Sequence, residues 1–341
     1  LPGPVTAAAM AATLLLGALS YRWIEQPLSR AAVRRGAWPV TFALVLCALA
    51  LQGGNRAIDR SDGWMARTGT DRPFYERVAI AKTHAIMPAS CLNFQRLPAQ
   101  LQLCSVGPDT ATPRILVYGD SHAQHLYAWF AAHAARRVDF MTSAGCIPAP
   151  GYNRITAGFH CDGFMQRVAA LANDPRYDTI VVAGNWGGGM HSGQPRLCRT
   201  GASPGCSEGA LPTRQELVQA NVRFWRALTA AGKRVYVVGQ MPFASFDVPG
   251  TLARERFWHR PLTLSYQPAY RDPHPYIDDV RSAMAGVPGF ETLEIAKTLC
   301  NAGQCRTLDE ADGPQPTLVD NSHFAPEWIR REGRVVLAAV Q

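Results

Sequence analysis

The 341-residue chain has no CxxC pair, no histidine at ligand spacing beside its cysteines, no internal repeat and no basic stripe interleaved with aromatics. The first two absences set aside a zinc-held cysteine framework and leave a metal-dependent hydrolase, the last-ranked reading, without ligand clusters. The third sets aside a repeat architecture. The fourth removes the case for a nucleic-acid partner, although the formal charge is +8. Charge itself is missing from Leu1 to Tyr21 and again from Gly36 to Asn55. Each stretch approaches the roughly 20 apolar residues of a membrane span. Much of the basic excess, Arg22, Arg30, Arg34 and Arg35, lies between or beside them. The positive-inside rule then puts these arginines in the cytoplasm and everything after residue 55 outside it. A signal peptide is the rival reading of the first stretch, but a basic leader and an initiator Met are both lacking. The tail end of a longer membrane protein is the expectation.

Cysteine usage tests that topology separately. Of nine cysteines, Cys47 falls within the second apolar stretch and reads as a small packing residue. The other eight are neighbours along the chain: Cys91 and Cys104, Cys146 and Cys161, Cys198 and Cys206, Cys300 and Cys305. An even number beyond the span fits a disulfide framework in an oxidising compartment. Sequential pairing is one of about 105 arrangements that eight cysteines permit.

Residues 1–55 read as a membrane segment with two transmembrane helices, 56–110 as a linker that packs on the next domain, and 111–341 as that folded domain. Within the linker, one helical stretch runs from Arg72 to Ala85. From Arg114 onward, short apolar runs alternate with helical patterns. Strands are expected at Ile115–Tyr118, Val138–Thr142, Thr179–Ala183, Arg234–Val238 and Thr292–Ile295. Helices are expected at His125–Arg136, Asp162–Ala172, Tyr276–Met284 and Glu327–Val340. A further helix runs from Thr213, capped with Glu216, to Gly232. Such alternation predicts an α/β fold, a three-layer sandwich about a central parallel sheet. The stretches Gly187–Pro212 and Met241–Pro275 read as long loops, which in compact domains are usually functional.

In an open parallel sheet, reactive groups collect beyond the carboxyl ends of the strands. There the first strand runs into Gly119-Asp120-Ser121-His122-Ala123. A serine at this point has backbone N–H groups close to its hydroxyl, which suit a developing oxyanion. It needs a base within hydrogen-bond reach, and a serine before a helix is more commonly just a cap. The second constellation is Asp320-Asn321-Ser322-His323-Phe324-Ala325-Pro326, before the last helix. An Asp three residues ahead of a His can fold back to hold Nδ1–H, leaving Nε2 free to take the serine proton.

These two blocks resemble those of the SGNH hydrolase superfamily, whose fold is flavodoxin-like. The resemblance implies Ser121 as nucleophile, His323 as general base and Asp320 as its orienting partner. It further implies an oxyanion hole from Ser121, Gly145 (in Ser143-Ala144-Gly145-Cys146) and Asn185 (in Ala183-Gly184-Asn185-Trp186). The family's third block reads Gly-x-Asn-Asp where this chain has Gly-Asn-Trp, which leaves Trp186 to line the pocket. His122 is expected to pack or to bind a substrate group. Trp186, Trp258 and Tyr266 are candidates for stacking on sugar rings, with a core role as the alternative for each.

A closer resemblance begins at Ser20-Tyr21-Arg22-Trp23-Ile24-Glu25-Gln26-Pro27, which is similar to the closing motif of the acyltransferase-3 membrane domain. In bacterial fusions of that domain, one more span comes next, then a cysteine-bearing linker, then Gly-Asp-Ser-His-Ala. The resemblance implies a multi-pass inner-membrane protein with a periplasmic SGNH domain that acetylates a surface polysaccharide such as lipopolysaccharide O-antigen. No cofactor is expected on this chain; acetyl-CoA is the implied acyl donor, acting through the membrane domain. The implied partners are the glycan acceptor and the lipid bilayer. An SGNH esterase and a non-catalytic glycan-binding domain are the rival expectations.

Overall fold

The structure, a computed structural model, describes residues 3–35, 38–60, 69–83, 86–109, 113–186, 197–200, 212–244, 246–259, 275–301, 304–311 and 313–340. The chain divides into two compact units, Leu1–Arg72 and Pro73–Gln341. In the first, Gly3–Ser20 and Gln26–Arg35 are helices joined by a π-helical turn, and Trp38–Arg60 forms a third helix. Among the described residues, one helix is long and apolar enough to cross a membrane, over residues 41–58, with mean hydropathy 1.3. Phe42, Leu44, Leu46 and Leu49 on it are exposed.

The second unit is built on a six-stranded sheet: β1 (Cys104–Val106), β2 (Arg114–Gly119), β3 (Val138–Thr142), β4 (Tyr177–Ala183), β5 (Arg234–Val238) and β6 (Phe290–Leu293). Their order is β1-β3-β2-β4-β5-β6, all parallel except the antiparallel edge pair β1 and β3. Leaving out β1, this is the 2-1-3-4-5 order of flavodoxin-like folds, with its switch point beside β2. Side-chain alternation along the strands feeds two cores. Ile115, Val117, Val181 and Val238 belong to one core, with Trp129, Phe130, Trp328 and Ile329. Leu116, Tyr118, Ile180, Val182 and Val237 belong to the other, with Phe164, Leu217 and Trp225. Because both faces are covered, the central strands carry unbroken apolar runs, Ile115–Tyr118 in β2, Ile180–Ala183 in β4 and Val235–Val238 in β5.

The helices that cover the faces begin with α1 (Arg72–Thr83), α2 (Ser121–Gln124), α3 (Tyr127–His133) and α4 (Cys161–Ala172). They continue with α5 (Arg214–Ala230), α6 (Val248–Trp258), α7 (Pro275–Ala283) and α8 (Pro326–Glu332). The expected cap on α5 is present: the Glu216 N–H donates to Thr213 Oγ1 at 3.2 Å, and the Thr213 N–H to Glu216 Oε2 at 2.8 Å.

Four sequence expectations change. The folded unit starts at Pro73, not at 111, because Phe74, Val78 and Met87 are buried in the same core as Ile115 and Val117. The stretch read as linker also supplies β1. Helix α6 lies inside the expected loop 241–275; its Pro249 occupies the first turn, where a missing N–H costs nothing. The terminal helix is broken into α8, Arg334–Leu337 and a 3-10 turn at Ala338–Val340. Of the expected disulfides, Cys91–Cys104, Cys146–Cys161 and Cys300–Cys305 are formed. Cys198 is disulfide-bonded as well, while Cys206 lies outside the described residues. Cys47 is free.

Candidate active site

Three adjacent strands end at the switch point. Beyond β2 comes Asp120, whose Oδ1 accepts the His122 N–H at 2.8 Å and so opens α2 with Ser121 as its first residue. Its Oδ2 accepts the Asn185 N–H at 2.7 Å, tying the end of β2 to that of β4. On the other side, the Ser143 N–H donates to Gly119 O at 2.9 Å, joining the β3 end. Next comes the turn Ser143–Cys146, closed by a 3.0 Å bond from the Cys146 N–H to Ser143 O, with Gly145 at φ 80°. Arg154 donates to Gly145 O at 3.1 Å and stacks on Phe159. Ser121 thus stands between the turns that carry Gly145 and Asn185.

The C-terminal loop reaches this point from far along the chain. Asp320 uses both oxygens: Oδ1 accepts the Ser322 N–H at 2.7 Å and the His323 N–H at 2.9 Å, while Oδ2 lies 2.5 Å from His323 Nδ1. With the His323 Nδ1–H donated to Asp320 Oδ2, the Nε2 lone pair of His323 faces Ser121 Oγ at 2.9 Å. The loop is held from outside as well. The Ala244 N–H donates to Asn321 O at 2.7 Å, the Val248 N–H to Asp320 O at 3.2 Å, and the Phe324 N–H to His125 Nδ1 at 3.0 Å. Ser121, His323 and Asp320 are therefore brought together in the sense a serine nucleophile requires.

Electrostatics match the geometry. Burial alone would raise Asp320, but the hydrogen bond and charge of His323, with two backbone N–H donors, hold it below the ordinary carboxylate value. Burial pushes Asp120 the other way, from 3.8 up to about 6, against the pull of the Asn185 and His122 N–H groups. Asp120 thus binds its proton more tightly folded than unfolded. Its contribution to stability is full below about pH 4 and is lost as pH rises through about 6. The stability of wild type relative to Asp120→Asn is expected to fall by on the order of 3 kcal/mol from about pH 4 to about pH 7. Urea midpoints at several pH values measure this, and a flat difference would contradict it.

Other expected site residues lie differently. Trp186 does not line a pocket: it is buried, its indole N–H donates to Val238 O at 2.9 Å, and it stacks on Tyr276. Packing between the end of β4 and α7 claims it. His122 is fully buried, with neither ring nitrogen partnered, so it presents nothing to a substrate. Burial, and then His323, lower it to about 3, so it is neutral. Asn185 sits at the site through its backbone, and its Oδ1 is buried without a partner. Trp258 is 63% exposed at the end of α6; Tyr266 lies outside the described residues. Sequence reasoning missed the strand tie through Asp120 and the loop anchor at His125. The spacing of His125, one helical turn beyond Ser121, was the available signal.

A doubly wound sheet with Ser121, His323 and Asp320 hydrogen-bonded in series at its switch point is the arrangement of the SGNH class. Residues 90–337 match the family model of the SGNH domain fused to AT3 (acyltransferase-3) domains, and the chain belongs to that family. No curated protein sequence matches it. Among solved structures, the periplasmic domain of the lipopolysaccharide acetyltransferase from Salmonella serovar Paratyphi A is similar at 13% identity and a TM-score of 0.50, over 81% of this chain and 98% of that one. TesA aligns at 16% identity and a TM-score of 0.34, over 67% of this chain and 99% of its own. Family membership supports chemistry of the acyl-transferring or ester-cleaving kind.

Proposed function

We propose that the chain is the acceptor-side domain of an O-acyltransferase that places acetyl groups on a bacterial surface polysaccharide, such as lipopolysaccharide O-antigen. The carrying observation is the 2.9 Å contact from His323 Nε2 to Ser121 Oγ, with Asp320 on the opposite ring nitrogen. In the first half-reaction the Oγ proton passes to Nε2 as Oγ attacks the acyl carbonyl. The tetrahedral oxyanion collapses, and the donor leaving group departs with the proton from His323. In the second, a sugar hydroxyl gives its proton to Nε2 and attacks the acyl-serine; Ser121 Oγ leaves and recovers that proton. The Ser121 and Gly145 N–H groups and the Asn185 side chain are the proposed oxyanion donors. Acetyl-CoA is the proposed ultimate donor, its acyl group handed across the inner membrane by the AT3 domain. The disulfides support a periplasmic position for this domain.

A second reading, an esterase, has one observation in its favour. The side chains of His323 and Asp320 are 25% and 42% exposed, so water reaches the triad in the absence of substrate. Acceptor choice then depends on whether bound glycan excludes that water. The test uses cells carrying the full-length protein or its Ser121→Ala variant. Wild type is expected to acetylate surface polysaccharide, and the variant to lose at least about 10³-fold of that activity. Free acetate without glycan acetylation would favour the esterase. Equal labelling of both proteins by a serine-reactive fluorophosphonate would overturn either reading.

A further inference from the structure

Two imidazoles stand behind His323 with no task in the reaction just described. The rings of His122 and His125 are buried, with centroids 5.3 Å and 4.5 Å from that of His323. They differ in what they hold. His122 has no hydrogen-bond partner at either nitrogen. His125 Nδ1 accepts the Phe324 N–H at 3.0 Å, so its ring is neutral and carries its proton on Nε2. Burial, reinforced by His323 and His122, pushes its pKa well below the ordinary histidine value, so it remains an acceptor when His323 is protonated.

The position of this bond matters more than its strength. Phe324 directly follows the base, and His125 closes the short helix that Ser121 opens. The other backbone anchors of the loop, at Ala244 and Val248, come from the segment before α6 and from its start. Among the described residues, Phe324 to His125 is the hydrogen bond, besides His323 to Ser121, that joins the loop of the base to the segment of the nucleophile. It involves none of the reacting atoms, whereas the His323–Ser121 contact must break when Ser121 Oγ is acylated.

We propose that His125 is a positioning residue: by accepting the Phe324 N–H from the turn that carries Ser121, it sets the separation between the base and the nucleophile. This rests on the serine-acylation reading above. A leucine there fills much of the same space but leaves a buried N–H without an acceptor, so the loop shifts to satisfy it. An asparagine can place its Oδ1 near the Nδ1 position and keep the bond.

The test measures the single-turnover acylation rate with p-nitrophenyl acetate on the full chain in detergent. It compares wild type, Ser121→Ala, His125→Leu and His125→Asn, with thermal unfolding recorded for each. His125→Leu is expected to acylate about 10- to 100-fold more slowly at an unchanged KM, the scale set by a misplaced catalytic group, and His125→Asn to recover most of the loss. Wild-type rates in His125→Leu, or equal losses in both variants, would overturn the proposal. If His125→Leu does not fold, His125→Gln takes its place, since its carbonyl sits one bond further out. Asn faster than Gln supports the proposal, and equal rates refute it. If Ser121→Ala acylates as fast as wild type, the serine reading itself has failed, which is a separate result.

Discussion

Replacing Asp320 with asparagine is expected to slow acylation of Ser121 about 10⁴-fold while leaving the domain folded. The argument is one of donor and acceptor number. Asp320 satisfies three donors: Ser322 N–H and His323 N–H at Oδ1, and His323 Nδ1–H at Oδ2. Asparagine has one acceptor oxygen and one NH₂ group. With its oxygen on the two backbone N–H groups, the favoured choice because both are fixed, its NH₂ faces Nδ1. The imidazole then accepts at Nδ1 and carries its proton on Nε2, which points at Ser121 Oγ as a donor. A base in that tautomer cannot take the serine proton. The loop keeps its bonds to Ala244 and Val248, so the fold survives. Single-turnover acylation with p-nitrophenyl acetate measures the rate, and circular dichroism checks the fold. A folded Asp320→Asn protein within tenfold of wild type would rule out the proposed role of Asp320.

The sheet and the triad were legible in the sequence for different reasons. The central strands are buried on both faces, so Ile115–Tyr118 and Ile180–Ala183 stand out as unbroken apolar runs. The triad was legible because each end carries a local pattern: a strand running into Gly-Asp-Ser, and an Asp three residues before a His. What stayed hidden depends on partners far apart in the chain. Asp120 meets Asn185 across 65 residues, and His125 meets Phe324 across 199, distances over which no sequence spacing speaks. Helix α6 was masked by Pro249-Gly250, a pair that reads as a turn but is tolerated in a first helical turn. β1 is three residues long and half-buried, too short for any periodicity. Trp186 misled because its position after β4 is right for a pocket residue, while its indole N–H finds Val238 O on the neighbouring strand β5 and turns inward.

The largest effect on stability is expected from Gly119→Ala, at the last residue of β2. Gly119 has φ 148°, outside the range that alanine adopts without strain, and is paired in register with Ala183 of β4. A Cβ built there would lie 1.8 Å from Ala183 O, 2.9 Å from the Ala183 carbonyl carbon and 2.9 Å from Ala123 Cβ. Two of those atoms are backbone of the adjacent central strand, which is itself pinned between two cores by Val181 and Val182. Neither strand can move apart without breaking the ladder, so the strain has no soft outlet. A clash of this kind belongs among the rare substitutions that cost more than about 4 to 5 kcal/mol. Set against the roughly 5 to 15 kcal/mol that holds a domain together, it leaves little or no folded protein. Gly145→Ala is the informative contrast. Its φ of 80° also disfavours alanine, but its Cβ would meet the end of the Arg154 side chain and the edge of the Phe159 ring at 2.6 and 2.7 Å. Side chains can swing aside, so the cost there is expected to stay near the backbone strain of about 1 to 3 kcal/mol. Urea denaturation of the two variants separates the cases: Gly145→Ala retains a cooperative transition at a lower midpoint, and Gly119→Ala shows none. If both gave similar midpoints, the β2 and β4 ends would be more pliable than their packing allows, and the fixed placement of Ser121 between them would have lost its support.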